Sequence, residues 1–192
     1  MKVGKLALRI VIGGLFIGHG TQKLLGWFGG SGLEGTDKMM EALDMQPARR
    51  KSIASGVTEA GCGALLVVGL GTPFAVAGLI GIMITAVGKV HWKNGPWNSN
   101  GGWEYNTVII AALTALADSG PGPVSLDAAL GRERSGSRWA LAALALGAAG
   151  STAAIELGRR ATRRVTVRAT GRATGRATGL ATAEQTAATP VA

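Results

Sequence analysis

Stretches of about 20 mostly apolar residues constrain this chain more than any other feature, because a helix of that length crosses the hydrocarbon core of a bilayer. Clear stretches occupy residues 6–27, 53–70, 74–90 and 106–117, and a weaker one occupies residues 139–157. The content of 47% hydrophobic and 16% charged residues is unlike that of a soluble domain. The sequence therefore predicts an all-α membrane protein: a four-helix transmembrane bundle with a fifth, weakly hydrophobic C-terminal helix.

The N-terminal segment is predicted to remain as the first membrane span. Lys2, Lys5 and Arg9 precede an apolar stretch, as in a secretory signal, but no small-residue cleavage site follows and the stretch continues to Trp27. Cys62 is the single cysteine, which excludes a disulfide within the chain, a thiolate metal cage and a CxxCH haem attachment.

Three parts are predicted along the chain. Residues 1–130 hold the four clear stretches, residues 131–158 hold a connector and the fifth helix, and residues 159–192 form a tail rich in Arg, Ala, Thr and Gly. The tail has seven arginines, one acidic residue and an RATG repeat, a composition typical of disorder. A basic segment beside a bilayer attracts anionic lipid, whereas no nucleic-acid-binding motif accompanies these arginines. The predicted partner of the tail is therefore anionic lipid and not nucleic acid.

Positive charge predicts the orientation, because Lys and Arg are enriched in cytoplasmic loops. Four spans with the N-terminus inside leave 13 of the 20 Lys and Arg residues inside. Five spans leave 14 inside if the N-terminus is outside, but only 6 if it is inside. The charges flanking the first helix favour the first arrangement, so we expect a multi-pass protein of the cell membrane with a cytoplasmic N-terminus.

Ionisable residues near the ends of these stretches are the candidate functional site. His19 and Lys23 close the first stretch, Glu59 lies inside the second, Lys89 and His91 close the third, and Glu104 opens the fourth. If successive helices cross in opposite directions, all of these residues lie toward the same side of the membrane. Ionisable groups inside a membrane are costly, which makes the cluster a functional hypothesis. The alternative is that Glu59 pairs with Lys23 or His19 only to hold two helices together.

Aromatic residues concentrate in the connection between the third and fourth stretches. Trp92, Trp97, Trp103 and Tyr105 lie there and form a candidate aromatic wall of the same site. Each of them could equally anchor the chain at the membrane–water interface, where aromatic residues are enriched. No metal site is predicted, apart from haem ligation by the only two histidines, His19 and His91.

These motifs resemble those of the DoxX family of small bacterial membrane proteins. The resemblance rests on RIVIGGLFIGHGTQKLLGWFGGSGLEGT, the Glu59-Ala-Gly segment, VHWKNGPW with GGWEYN, and GPGPVSLD, and it covers roughly residues 4–130. It implies a four-helix bundle associated with membrane redox chemistry, since relatives are described as subunits of quinone-linked thiosulfate oxidation or as partners of oxidative-stress enzymes. The matching residues are His19, Gly20, Lys23, Gly29, Gly30, Glu59, Asn94, Gly95, Trp97, Gly102, Glu104 and Tyr105.

Three functional hypotheses from different classes remain open. The first is a membrane subunit of an oxidoreductase assembly with a quinone site, to which His19 or Lys23 would supply a donor and Glu59 a proton route. The second is a haem-binding four-helix bundle. The third is a non-catalytic scaffold that docks a soluble partner. The sequence favours the first hypothesis and does not identify the cofactor, for which quinone is a candidate ahead of haem. It also leaves open whether the chain is an enzyme and whether it forms a homo-oligomer.

Overall fold

The structure is a computed structural model that describes the backbone of residues 2–187 and the side chains of residues 3–165 and 167. Helices joined by turns make up this range, with no strand among the described residues. In chain order the helices are α1 (Lys2–Leu25), α2 (Gly32–Ala42), α3 (Ala48–Val68), α4 (Thr72–Ala86), α5 (Glu104–Ser119), α6 (Leu126–Ala129) and α7 (Ser137–Ala187). The predicted all-α membrane bundle is confirmed.

The set of long apolar helices differs from the predicted set. The segments long and apolar enough to cross a membrane are Val3–Leu25, Ala48–Val68, Thr72–Asn94 and Ser137–Val165. The fourth apolar stretch forms α5, which has only 16 residues. The predicted weak helix forms α7, whose most apolar stretch is more hydrophobic than that of α1. α7 therefore joins the bundle alongside α5, which is shorter but still crosses it, because α5 connects the end of α4 to the start of α7 and those two helices run parallel.

The packing of α7 on α4 makes α7 part of the core. The two helices run parallel, with Phe74 against Trp139 near one end and the hydroxyls of Thr85 and Ser151 2.9 Å apart near the other. Between these contacts, a Cβ atom at Gly147 would lie 2.9 Å from the Ala77 carbonyl oxygen. The shared core contains Leu66, Val76, Leu79, Ile80, Leu113, Leu116, Ala140 and Ala143.

Glycines bring α1 and α3 into direct backbone contact. A Cβ atom at Gly13 would lie 2.6 Å from the Gly63 carbonyl oxygen, and one at Gly20 would lie 2.5 Å from the Ala60 nitrogen. These antiparallel helices therefore pack closely along their length, as small residues allow in a membrane. By contrast, α1 and α5 make only slight contact with each other.

Arg9 is buried at the end of the bundle opposite the predicted polar cluster. Its Nε donates to the Leu66 carbonyl (2.9 Å) and its Nη2 to the Val67 carbonyl (2.7 Å), at the C-terminal end of α3. Its Nη1 donates to the carbonyls of Pro121 (2.9 Å) and Val124 (2.7 Å) in the connection after α5. Arg9 is only 1% exposed, so it is a structural bond donor and not only a charge that orients the first helix.

Asp127 completes the same end of the bundle. Its carboxylate accepts from the backbone nitrogens of Gly71 (2.9 Å) and Thr72 (3.0 Å) and from the Thr72 hydroxyl (3.0 Å). Its own backbone nitrogen donates to the Gly69 carbonyl at 2.9 Å. A carboxylate here caps the N-terminus of α4, where unpaired N–H groups and the helix dipole favour negative charge.

The predicted boundary between the fifth helix and the tail, at residues 158–159, is not seen, because α7 continues through it. Arg160 Nε donates to Glu156 Oε1 at 2.8 Å, and the Thr162 hydroxyl donates to the Asp44 carbonyl at 3.2 Å. The first turns of the predicted tail are thus helical and touch the rest of the protein. The three-part domain division and the disorder of the remaining tail stay predictions, and residues 188–192 lie outside the described residues.

Replacing Arg9 with Met is expected to destabilise the bundle, because it removes the donor of four backbone carbonyls. Each buried acceptor left unpaired costs about 1–3 kcal/mol. We expect the unfolding temperature in detergent, followed by tryptophan fluorescence, to fall by roughly 10 °C. The matched control is Arg50→Met on the exposed surface of α3, which should unfold close to the original protein. Equal unfolding temperatures for the two variants would contradict the role of Arg9.

Ending the chain after residue 136 is expected to prevent formation of a compact bundle, because it removes the face of α7 that covers α4. Ending it after residue 165 should preserve the fold, since the core contacts of α7 come before that point. Size-exclusion chromatography in detergent and resistance to protease measure both outcomes. A compact, protease-resistant product from the shorter chain would show that α7 is dispensable.

Candidate functional site

A cavity of about 910 Å³ lies within the bundle. All five long helices and α2 contribute to its largely apolar lining. The cavity exists because α1 packs on α3, and α5 packs on α4 and α7, while α1 and α5 hardly touch. Its volume is near the upper end of the range of about 300–1,000 Å³ for small-molecule sites.

The cavity reaches the outer surface of the protein between α1 and α5. Val11 and Leu15 of α1 line it, as do Tyr105 and Val108 of α5, and these side chains are 49–62% exposed. Apolar side chains on the outside of a membrane bundle face hydrocarbon. The opening is therefore lateral, and a molecule dissolved in the bilayer can enter without passing through water.

An ion pair between α1 and α3 lies in the cavity wall. Lys23 Nζ donates to Glu59 Oε1 at 2.5 Å and to the Ser55 hydroxyl at 3.2 Å. Of the two partners expected for Glu59, the structure selects Lys23. The Glu59 side chain is 3% exposed and that of Lys23 24% exposed.

The second carboxylate oxygen of Glu59 is chemically unsatisfied. Oε2 is buried and has no hydrogen-bond partner among the described residues. Leaving a buried carboxylate oxygen without a donor is unfavourable. Glu59 lines the cavity, and its Oε2 is a buried acceptor that lacks a donor.

His19 lines the cavity one turn before Lys23. Its Nδ1 donates to Gln22 Oε1 at 3.1 Å, and Gln22 Nε2 donates to the Phe28 carbonyl at 3.3 Å. Because the Gln22 amide is oriented by Phe28, the neutral imidazole carries its proton on Nδ1. Its Nε2 is then an acceptor, available to a ligand or to a proton.

His91 lines the same cavity at the end of a π-helical turn, Val87–His91. Its Nδ1 donates to the Gly101 carbonyl at 2.7 Å, and Asn94 Nδ2 donates to the same oxygen at 3.1 Å. Single π-helical turns are frequent at functional sites. The described residues contain no cluster of three or more His, Cys, Asp or Glu that could hold a metal ion.

Glu104, predicted as part of the site, does not line the cavity. Its Oε2 accepts a bond of 2.9 Å from the backbone nitrogen of Asn98. The loop before it folds back on itself, with the Trp103 and Glu104 nitrogens bonded to the carbonyls of Gly95 and Pro96. The structure therefore gives Glu104 a role in closing this loop and brings only His19, Lys23, Glu59 and His91 together around the cavity.

The same loop turns the predicted aromatic wall outward. Trp92 and Trp97 are exposed, and Trp92 stacks on Trp103 with ring centroids 6.3 Å apart. Of the four aromatic candidates, only Tyr105 lines the cavity. The backbone bonds across the loop direct these indoles away from the cavity.

Sequence reasoning missed Lys51 and one helix face of the cavity. Lys51 lines the cavity together with Lys89, and Lys51 Nζ donates to the Ala154 carbonyl at 2.8 Å. The face of α7 that completes the wall carries Gly147, Gly150, Ser151 and Ala154. Their spacing of three, four and seven residues was the available signal, because it places small residues on one face of a helix.

The helices and the cavity define a multi-pass α-helical membrane protein with a laterally open internal site. The model of the DoxX family matches residues 4–92 of the chain. The match covers most of α1, all of α2, α3 and α4, and the cavity residues His19, Lys23 and Glu59. Comparison with curated proteins and with solved structures returned no match.

Removing one member of the Lys23–Glu59 pair is expected to destabilise the protein more than removing both. Lys23→Met leaves an unpaired buried carboxylate, which costs about 3–5 kcal/mol in a fully buried site and less here because Lys23 is partly exposed. Lys23→Met combined with Glu59→Met removes both charges and should recover much of the loss. Thermal unfolding of the single and double variants measures this coupling.

The matched control for this cycle is the exposed pair of Arg160 and Glu156, joined at 2.8 Å within α7. An exposed pair contributes about 0–1 kcal/mol, so its coupling should be close to zero. Additive effects at Lys23 and Glu59, like those at the control pair, would show that the two charges act independently.

Proposed function

We propose that this protein is a membrane subunit associated with redox chemistry and that its cavity binds a lipid-soluble molecule of the quinone class. The observation that carries the proposal is an apolar cavity, open to the bilayer between α1 and α5, with the Lys23–Glu59 pair in its wall. A quinone has an apolar ring and chain with two carbonyl acceptors, and it is delivered from the lipid. The redox association itself is supported by the resemblance to relatives of that kind.

The polar groups of the wall match both states of such a ligand. The Lys23 ammonium donates to a quinone carbonyl, whereas Glu59 Oε2 accepts from a quinol hydroxyl. Reduction of a quinone adds two electrons and two protons, and the electrons would come from a redox partner. Glu59 and His19 would exchange protons with the bound headgroup, because both residues line the cavity and each has a side-chain acceptor atom without a hydrogen-bond partner among the described residues.

Replacing Glu59 with Gln is expected to weaken quinol binding about tenfold, since one charge-assisted bond is lost. The test is calorimetric titration of the protein in neutral nanodiscs with a reduced, short-chain quinone analogue. Glu41→Gln on the exposed face of α2 is the matched control and should bind as the original protein does. Undiminished binding by Glu59→Gln would remove this carboxylate from the site.

Filling the lateral opening is expected to block entry of the ligand. Val108→Trp adds bulk between α1 and α5, whereas Val57→Trp adds the same bulk to an exposed position on α3 outside the cavity lining. The first variant should slow association of the quinone analogue in stopped-flow measurements and the second should not. Equal association rates would show that the ligand enters elsewhere.

The subunit role is tested separately by crosslinking and affinity purification from native membranes in mild detergent. Stoichiometric recovery of a redox enzyme is the expected result. A soluble partner without a redox centre would instead support the scaffold hypothesis. Recovery of the chain alone as a homo-oligomer would contradict the subunit role.

The proposed orientation follows from the path of α7. Lys5 bonds to the Ser119 carbonyl at one end of the bundle, whereas Lys51 bonds to the Ala154 carbonyl at the other. The N-terminus and the Arg-rich end of α7 therefore lie on opposite sides of the bundle, as in the arrangement of five spans.

In that arrangement, 14 of the 20 Lys and Arg residues lie on the same side as Lys51 and Lys89. We propose that this side is cytoplasmic and that the N-terminus lies on the other side. Reporter fusions at both termini test this orientation, which replaces the expected one.

A further inference from the structure

The charges around the cavity do not balance. Its lining contains three lysines, Lys23, Lys51 and Lys89, and one acid, Glu59. The ion pair neutralises Lys23, so that two positive charges remain if His19 and His91 are neutral. Uncompensated charges inside a membrane protein are unfavourable, which indicates that a negative group belongs there.

Lys51 and Lys89 lie at the same end of the cavity. Lys51 is in the first turn of α3 and bonds to the Ala154 carbonyl of α7. The next residue, Ile155, lies 3.8 Å from the position of a Cβ atom on Gly88, directly before Lys89. Among the described residues, Lys89 has no hydrogen bond or ion pair, and Lys51 has one acceptor for its three N–H groups.

The opposite end of the cavity is apolar. The lining follows α1 from Lys23 to Leu8, a distance of about 22 Å along a helix. Over that distance Val11, Ile12 and Leu15 face the cavity, opposite aliphatic residues of α4 and α5. The cavity is therefore amphipathic along its length, cationic at the end that holds Lys51 and Lys89 and apolar at the other.

We propose that the cavity binds a lipid-derived amphiphile with a single apolar chain and an anionic headgroup, a carboxylate or a phosphate. The headgroup lies between Lys51 and Lys89, and the chain passes Glu59 toward Leu8 after entering between α1 and α5. The proposal rests on the same cavity as the proposed function but not on redox chemistry. In the proposed orientation the lysines face the cytoplasmic leaflet, which is the anionic one.

Headgroup charge is the property to test. The protein in nanodiscs of neutral phosphatidylcholine is titrated with dodecanoate and dodecyl phosphate, and with dodecanol, which has the same chain and no charge. Acetate and inorganic phosphate supply the anion without the chain. Both charged amphiphiles should bind at least about tenfold more tightly than dodecanol, and the free anions should not bind measurably.

The lysine variants assign the site. Lys51→Gln with Lys89→Gln should weaken dodecanoate binding about tenfold or more and leave dodecanol binding unchanged. Lys38→Gln with Lys93→Gln removes the same charge from exposed positions outside the cavity and should change neither. Lys89→Gln alone, which breaks no bond of the described residues, keeps the test valid if the double variant does not fold.

Equal affinity for dodecanoate and dodecanol would overturn the proposal and show that the lysines extend to water. An equal loss of dodecanoate affinity in the two double variants would show that the amphiphile is attracted only by the general surface charge. Tight binding of free phosphate would show that the ligand is a soluble anion. The quinone analogue separates this proposal from the proposed function. If the protein binds dodecanoate selectively but not the quinone analogue, the amphiphile proposal stands and the proposed function fails. If it binds the quinone analogue but not dodecanoate selectively, the proposed function stands and the amphiphile proposal fails.

Discussion

The structure depends on how backbone groups are satisfied where helices end inside the bundle. Arg9 donates to four carbonyls, two at the end of α3 and two in the connection after α5, and Asp127 caps the start of α4. Arg9 and Asp127 are buried, so the backbone groups around them must find their partners within the protein. This pair of charged residues closes one end of the bundle.

The cavity begins at the other end of the bundle, away from Arg9 and Asp127. Gly13 and Gly20 keep α1 against α3, and Gly147 keeps α7 against α4, but nothing of this kind joins α1 to α5. The helices that would have to meet to fill the interior are therefore held apart by their tighter contacts elsewhere. A laterally open space next to Lys23 and Glu59 is the result.

The polar residues of the cavity have separate roles. The charges of Lys23 and Glu59 neutralise each other, but the second carboxylate oxygen of Glu59 has no hydrogen-bond donor. This arrangement suits a neutral ligand with a hydroxyl donor. Lys51 and Lys89 are not neutralised and suit an anion. A quinone and an anionic amphiphile would share the apolar space but not the polar contacts, so each can be tested without the other.

The sequence by itself determined the membrane class, the helices and the proximity of Lys23 to Glu59. Apolar length specifies spanning helices, and antiparallel neighbours bring the end of one next to the start of the next. Only the tertiary structure decided that α7 is a core helix, because its small residues contribute by packing closely against α4, a contact between segments distant in sequence. Only the tertiary structure turned Trp97 and Glu104 away from the cavity, because backbone bonds across a loop set the direction of its side chains. Charge balance around a cavity is likewise a property of residues that are distant in sequence, which is why only the folded chain shows that the charges of Lys51 and Lys89 are not neutralised by an acid in the cavity lining.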